Sequence, residues 1–169
     1  MSLYALKRLG LDEIWWLVSP QNPLKPSRDM APFIVRLTAA RRIARHPKIA
    51  VTDLETRLGT CYTVDTLKAL KRYFPLTHFV WLMGADNLQQ IPYWRNWAGI
   101  FAEIPIAVFR RPGYPAGRGR GRAANRFDHA WNPIAMSKKL SFLKPPCWLV
   151  LDNPLNLLSA TAIRRQTVR

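Results

Sequence analysis

Negative charge is scarce in this sequence. The 169 residues include 26 lysines and arginines but only 10 aspartates and glutamates, which gives a formal net charge of +16. Such an excess of positive charge implies an anionic partner, such as a polyphosphate, a nucleic acid or a membrane surface. The charge indicates a class of ligand and does not choose among its members.

Cysteines and long apolar runs are also scarce. Cys61 and Cys147 lie far apart without the spacing of metal ligands, which fits a reduced cytoplasmic protein better than a disulfide scaffold. No apolar run approaches the ~18 residues needed to span a membrane. Residues 1–9 lack the apolar core and cleavage site of a secretory signal. We therefore expect a cytoplasmic protein with no membrane segment.

The apolar residues that are present suffice for one folded domain over residues 1–169. Hydrophobic residues make up 49% of the chain, and seven residues are tryptophans. Apolar runs predict strands over residues 14–18, 49–53, 79–83, 104–109 and 148–151, and amphipathic patterns predict helices between them. Strands that alternate with helices indicate an α/β fold with a doubly wound parallel sheet. Residues 114–126, rich in glycine and arginine, predict a flexible basic loop.

The strand predicted over residues 79–83 ends in Gly84 and passes directly into a short helix opened by Asp86 or Asn87. This pattern presents free backbone N–H groups at the carboxyl edge of a sheet, where open α/β sheets bind nucleotides. Gly84 lets a ligand approach the backbone closely. Asp86 would repel a phosphate, and it suits a ribose hydroxyl, an adenine amino group or a helix cap better. A buried strand followed by an ordinary N-cap explains the same residues.

The sequence Ser159-x-Thr161-x-x-Arg164 combines three features that bind anions. Two hydroxyls fall in the first turn of a helix with free N–H groups, and the guanidinium lies one turn further on. The alternative is a plain N-cap followed by a surface arginine.

Two further sites occur on predicted loops and helix starts. Asn22 and Lys25 lie on a proline-stiffened loop, where they can meet a phosphate or remain a solvated surface. Thr63 is predicted as the N-cap of a helix. Trp94, in Pro92-Tyr93-Trp94, offers a face for stacking a heteroaromatic ring, although core packing is the alternative.

In order, these blocks resemble the bacterial nicotinate-nucleotide adenylyltransferases over nearly the whole chain. The matching blocks are Trp16-Leu17-Val18-Ser19-Pro20 with Asn22, Pro23 and Lys25, then Tyr62-Thr63-Val64-Asp65-Thr66-Leu67, Gly84-Ala85-Asp86-Asn87-Leu88 with Trp94, Arg111-Pro112-Gly113, and Ser159-Ala160-Thr161-Ala162-Ile163-Arg164.

The resemblance implies a Rossmann-like enzyme of the nucleotidyltransferase type, which transfers AMP from ATP to nicotinate mononucleotide with Mg²⁺ and releases pyrophosphate. ATP and nicotinate mononucleotide are then its partners. The implied ATP-binding residues are Gly84, Asp86, Ser159, Thr161 and Arg164. The implied nicotinate mononucleotide residues are Asn22, Lys25, Thr63 and Trp94.

One family feature is missing from this sequence. The family begins with a strand and a turn containing His-x-Gly-His, and none of His46, His78 and His129 stands in that pattern. No catalytic residue is therefore assigned. The first, central strand of the sheet is expected to be absent, with the true product starting upstream or the gene being a remnant.

Two other functions fit parts of the sequence. The net charge and the Gly-Arg tract at 117–122 are compatible with an RNA-binding protein. A sister nucleotidyltransferase, such as one acting on phosphopantetheine, shares the Ser-x-Thr-x-x-Arg block. Trp94 and the Tyr62–Leu67 block argue against that second alternative.

Overall fold

The structure is a computed structural model that describes residues 1–20 and 30–155. In these ranges the strands are β1 (Ile14–Leu17), β2 (Ile49–Thr52), β3 (Trp81–Gly84), β4 (Ile106–Phe109) and β5 (Trp148–Leu151). The α-helices are α1 (Ser2–Leu9), α2 (Phe33–Ile43), α3 (Leu54–Arg57), α4 (Thr63–Tyr73), α5 (Ala85–Gln90), α6 (Trp97–Glu103) and α7 (Arg122–Arg126). Short 3-10 helices cover Ile91–Tyr93, Asp128–Ala130 and Ile134–Phe142.

All pairings between the described strands are parallel, as the alternation of strands and helices predicts. The strands form two sheets, one of β1 and β2 and one in the order β3-β4-β5. β1 pairs with β2, β3 pairs with β4, and no described strand pairs with the other edge of either β1 or β3. The α/β class with parallel strands is confirmed, and the described sheet is divided between β1 and β3.

Both sheets share the same two hydrophobic layers. Alternate residues of β1, β3, β4 and β5 point into one cluster with α4, α5, α6 and α7; these are Trp15, Leu17, Trp81, Met83, Ile106, Val108, Trp148 and Val150. The intervening residues join a second cluster with α1 and the helix Ile134–Phe142; these are Ile14, Trp16, Leu82, Ala107, Phe109, Leu149 and Leu151. Since strand side chains alternate between faces, helices cover both faces of the divided sheet, as in a doubly wound fold.

Helix α1 shows that the two sheets present their carboxyl ends on the same side. The Trp16 indole near the end of β1 donates a hydrogen bond to the Ser2 hydroxyl, with Nε1 3.0 Å from Oγ. Two residues further along α1, the Tyr4 hydroxyl donates to Asp152, which directly follows β5. The start of α1 therefore contacts the carboxyl end of a strand in each sheet. The loops after all five described strands fall on this side.

Several element boundaries differ from the sequence predictions. α1 ends at Leu9, and Gly10 takes the C-cap position in a left-handed conformation with φ 67°. β3 begins at Trp81 rather than at residue 79. Between the 3-10 helix Ile91–Tyr93 and α6, Asn96 adopts a left-handed conformation with φ 44°. Within the described residues, no helix is long and apolar enough to cross a membrane.

Candidate nucleotide-binding site

The turn after β3 is built by a close approach between Gly84 and Asp86. Gly84 is the N-cap of α5, with an extended backbone, and a Cβ added to it would overlap Asp86 Oδ1. A side chain at this position would also reach the aliphatic part of Arg111, from the loop after β4. Glycine is therefore required here for space rather than for a positive φ.

One oxygen of the Asp86 carboxylate bonds a protein partner, and the other is a free hydrogen-bond acceptor. Its Oδ2 accepts a hydrogen bond from Arg111 Nη1, and its side chain is 18% exposed. Its Oδ1 is buried and has no hydrogen-bond partner among the described residues. Such an oxygen can accept from a ribose hydroxyl or an adenine amino group. Arg111 balances the charge that would otherwise repel a nearby phosphate.

The prediction that Asp86 or Asn87 caps the helix is wrong. α5 begins at Ala85 with Gly84 as N-cap, and no side chain forms a cap hydrogen bond. The helix begins at Ala85, the residue that directly follows β3. The Asp86 carboxylate bonds Arg111 instead of the helix amides.

The start of α4 presents unpaired backbone donors. The N–H groups of Asp65 and Thr66 both bond the Tyr62 carbonyl at 3.0 Å. The first two amides of the helix, those of Thr63 and Val64, are left without an acceptor in the described part of the chain. Tyr62 holds the N-cap position without a side-chain cap, so the prediction that Thr63 is the N-cap is wrong by one residue. Two free amides at a helix N-terminus suit a carboxylate or a phosphate oxygen.

Aromatic and cationic groups lie beside this helix start. The Arg95 guanidinium stacks over the Tyr62 ring, with Cζ 4.5 Å from the ring centroid. Trp94 packs against the first hydrophobic cluster but keeps part of its surface exposed, and its Nε1 is buried without a partner among the described residues. The contact between Arg95 and Tyr62 brings the Trp94 segment to the Thr63 segment.

The structure thus arranges the four described site residues as two groups on one edge. Gly84 and Asp86 lie together after β3, and the segments of Trp94 and Thr63 meet where Arg95 contacts Tyr62 at the start of α4. The other five predicted site residues lie outside the described residues; they are Asn22, Lys25, Ser159, Thr161 and Arg164. Their roles stay predictions.

Three residues at this edge carry contacts to which sequence reasoning gave no role. Arg111 pairs with Asp86, and its only signal was the Arg-Pro-Gly block. Arg36 on α2 donates to the carbonyls of Ser19 at 2.7 Å and Pro20 at 2.8 Å, and so fixes the turn after β1. Glu55 is a buried carboxyl just after β2. Arg36 and Glu55 had no sequence signal, because their partners lie on other elements.

The histidines do not belong to this edge. His46, His78 and His129 are all exposed. His46 Nδ1 accepts a hydrogen bond from the Lys48 amide, and His78 and His129 lie against the rings of Phe142 and Phe127. Whether any of the three takes part in catalysis stays a prediction.

Comparison with known proteins identifies the family to which the chain belongs. The cytidylyltransferase-like family model matches residues 3–166. The probable nicotinate-nucleotide adenylyltransferase of Parvibaculum lavamentivorans is 48% identical over 162 residues, which cover 96% of this chain and 81% of that protein. The protein of the same name from Gluconobacter oxydans is 49% identical over 160 residues, which cover 95% of this chain and 82% of that protein.

A solved structure supports the fold independently. The Plasmodium falciparum nicotinic acid mononucleotide adenylyltransferase complexed with NaAD superposes with a TM-score of 0.65 at 18% identity, over 92% of this chain and 69% of that chain. The parallel sheet and its nucleotide-compatible edge define a nucleotidyltransferase of the cytidylyltransferase-like class. The chain belongs to the nicotinate-nucleotide adenylyltransferase family.

Proposed function

We propose that this protein transfers AMP from ATP to nicotinate mononucleotide, giving nicotinate adenine dinucleotide and pyrophosphate for NAD biosynthesis. The observation that carries the proposal is the turn after β3. There Gly84 has no side chain to hold a ligand away from the backbone, and Asp86 Oδ1 is buried without a hydrogen-bond partner among the described residues. The names of the relatives supply the reaction.

In this proposal, ATP binds at the group of residues after β3, and nicotinate mononucleotide binds at the group around the start of α4. Gly84 and Asp86 line the adenosine of ATP, and Ser159, Thr161 and Arg164 hold its phosphates. Asn22 and Lys25 face the nicotinate nucleotide. The free amides at Thr63 receive its carboxylate, and Trp94 stacks on its pyridine ring, for which its partly exposed side chain leaves room.

The reaction needs alignment and charge balance from the protein. An oxygen of the 5′-phosphate of nicotinate mononucleotide attacks the α-phosphorus of ATP, the new P–O bond forms, and the bond to pyrophosphate breaks with its electron pair leaving on pyrophosphate. The two groups on one edge hold the reactants in line. The Arg111–Asp86 pair keeps the adenosine side of the edge close to neutral.

Magnesium enters this proposal as part of the substrate MgATP. Among the described residues there is no group of three histidine, cysteine or acidic side chains that could hold a metal ion. Asp86, the carboxylate nearest the proposed adenosine site, already pairs with Arg111. The described residues therefore do not fit a protein-held metal site.

Pyrophosphate release tests the function. The protein is incubated with ATP and, separately, with nicotinate mononucleotide, nicotinamide mononucleotide and phosphopantetheine, and the pyrophosphate released is measured. Turnover is expected with nicotinate mononucleotide. Preference for phosphopantetheine, or no turnover with any acceptor, would overturn the proposal.

The RNA-binding alternative is tested by filter binding over a range of salt concentrations. Tight, steeply salt-dependent binding without ATP turnover would favour it. Within the Gly-Arg tract, Arg118 pairs with Asp128, with Nε 2.8 Å from Oδ1, and lies over the Trp131 ring. We also propose a cytoplasmic location, which the free thiols of Cys61 and Cys147 support.

A further inference from the structure

Glu55 is a buried carboxyl for which the reaction above has no use. It lies on α3, just after β2, and is 6% exposed. Within the described residues it is the one charged side chain that is buried to this degree. Burying a carboxyl is costly unless hydrogen bonds compensate for the lost water, so its contacts should explain its presence.

Those contacts join two separate elements. Thr66 Oγ1, on the first turn of α4, lies 3.3 Å from Glu55 Oε1 and 2.9 Å from Thr60 Oγ1. Ser19, in the turn after β1, also interacts with the Glu55 carboxyl, whose second oxygen, Oε2, is buried without a hydrogen-bond partner among the described residues. The Thr60 amide bonds the Glu55 carbonyl at 2.9 Å, which ties α3 to the segment leading into α4.

A carboxylate suits this position because its Oε1 can accept from the Thr66 hydroxyl on α4 while the same group interacts with Ser19. Thr60 can donate to Thr66, whose own hydroxyl lies within hydrogen-bond distance of both Glu55 Oε1 at 3.3 Å and the Tyr62 carbonyl at 3.2 Å. Burial raises the pKa of Glu55, and the bonds from Ser19 and Thr66 act in the opposite direction by favouring its charged form.

We infer that Glu55 is a positioning residue for the acceptor nucleotide: it locks the turn after β1 to the start of α4, where the free amides of Thr63 and Val64 lie. The inference rests on the proposed function. None of its described hydrogen bonds reaches Gly84, Asp86 or Arg111, so the ATP side of the edge does not depend on it.

Steady-state kinetics of Glu55→Ala and Glu55→Gln, compared with the wild-type protein, test the inference. Glu55→Ala removes the carboxyl that contacts Thr66 and Ser19, and we expect KM for nicotinate mononucleotide to rise about tenfold while KM for ATP changes less than about twofold. Glu55→Gln keeps an amide oxygen that accepts from the same hydroxyls, so it should recover most of the loss. The matched control is Glu103→Gln, because Glu103 pairs with Lys71 at the far end of α4.

Hydrogen exchange on the free protein separates positioning from general instability. Glu55→Ala should speed exchange in peptides covering residues 17–20 and 60–66, with little change in β4 or β5. Faster exchange throughout, equal rises in both KM values, or no rescue by Glu55→Gln would overturn the inference. Wild-type protein that fails to turn over would overturn the proposed function as well, whereas active wild type with an unaffected Glu55→Ala overturns the inference alone.

Discussion

The Asp86 carboxylate restricts position 84 to glycine. The glycine has an ordinary extended backbone, which other residues adopt freely, yet any Cβ would overlap the Asp86 carboxylate. The carboxylate is itself held by Arg111. A side chain at position 84 therefore displaces the Asp86 carboxylate and disturbs its ion pair with Arg111.

Replacing Gly84 with alanine should impair the ATP side of the site. Asp86 would have to move from Arg111, and we expect KM for ATP to rise about tenfold while KM for nicotinate mononucleotide changes little. The matched control is Gly99→Ala on α6, where the added Cβ meets the end of the exposed Asn96 side chain, which can rotate away. Equal kinetics for the two variants would show that the Gly84 contact is unimportant.

The two cysteines should differ sharply in reactivity. Cys61 is exposed, whereas burial raises the pKa of the Cys147 thiol from 9.0 to about 11. At pH 8 only about 0.1% of Cys147 would be thiolate even if reagents could reach it. Iodoacetamide followed by mass spectrometry should therefore label Cys61 in the native protein and Cys147 only in urea.

The raised pKa of Cys147 also predicts how the free energy of unfolding changes with pH. The unfolded thiol ionises first, so the unfolded state loses its proton at lower pH than the folded state does. The free energy of unfolding should then fall as pH rises from about 9 to about 11. A Cys147→Ala variant should show a flatter stability curve over this range, and unchanged steepness would contradict the assignment.

At the scale of elements, the segment from 114 to 126 illustrates what composition misses. Glycine and arginine predict a flexible basic loop, but the structure gives its last residues to α7, with Ala123 and Ala124 buried. Gln89 on α5 donates to the carbonyls of Pro115 at 3.0 Å and Arg120 at 2.9 Å. The flexibility of the segment stays a prediction.

Replacing Gln89 with alanine should release this segment. Two backbone carbonyls lose their donor, so residues 115–121 should open more often and trypsin should cleave after Arg118 and Arg120 about threefold faster or more. Gln90→Ala is the control, since Gln90 is the exposed next residue and makes no such contact in the described part of the chain. Equal cleavage rates in both variants would refute the role of Gln89.

At the scale of the whole molecule, the described strands form two separate sheets, β1-β2 and β3-β4-β5, instead of one continuous sheet. β1 and β3 contribute to the same two hydrophobic clusters, yet each pairs with a described strand on one edge alone. Unpaired strand edges carry backbone donors and acceptors that favour another strand. The clusters hold the two sheets together through side chains, without backbone bonds between them in the described residues.

Adding a strand should therefore stabilise the molecule. An N-terminal extension of five apolar residues and a glycine turn before Met1 can pair with both open edges, and each backbone bond gained from a buried unpaired group contributes about 1–3 kcal/mol. Urea unfolding should show a higher midpoint and a larger m value, because more surface is buried. An equally long glycine-serine extension is the control, and equal midpoints would exclude the open edges as a strand site.

The sequence by itself determined the features that rest on local patterns. Continuous apolar runs such as Ile14–Leu17 specified strands covered on both faces, and the order of strands and helices specified parallel pairing. Gly84 marked the turn after β3, because it lies next to a clear change of pattern.

Tertiary structure alone decided which distant residues meet. The pairing of Asp86 with Arg111, the contact of Arg95 with Tyr62, and the bonds of Glu55 to Ser19 and Thr66 all join different elements. No local pattern encodes such contacts, because they depend on how the elements pack. The physical reason is that hydrogen bonds and ion pairs act over a few ångströms in space, whatever the separation along the chain.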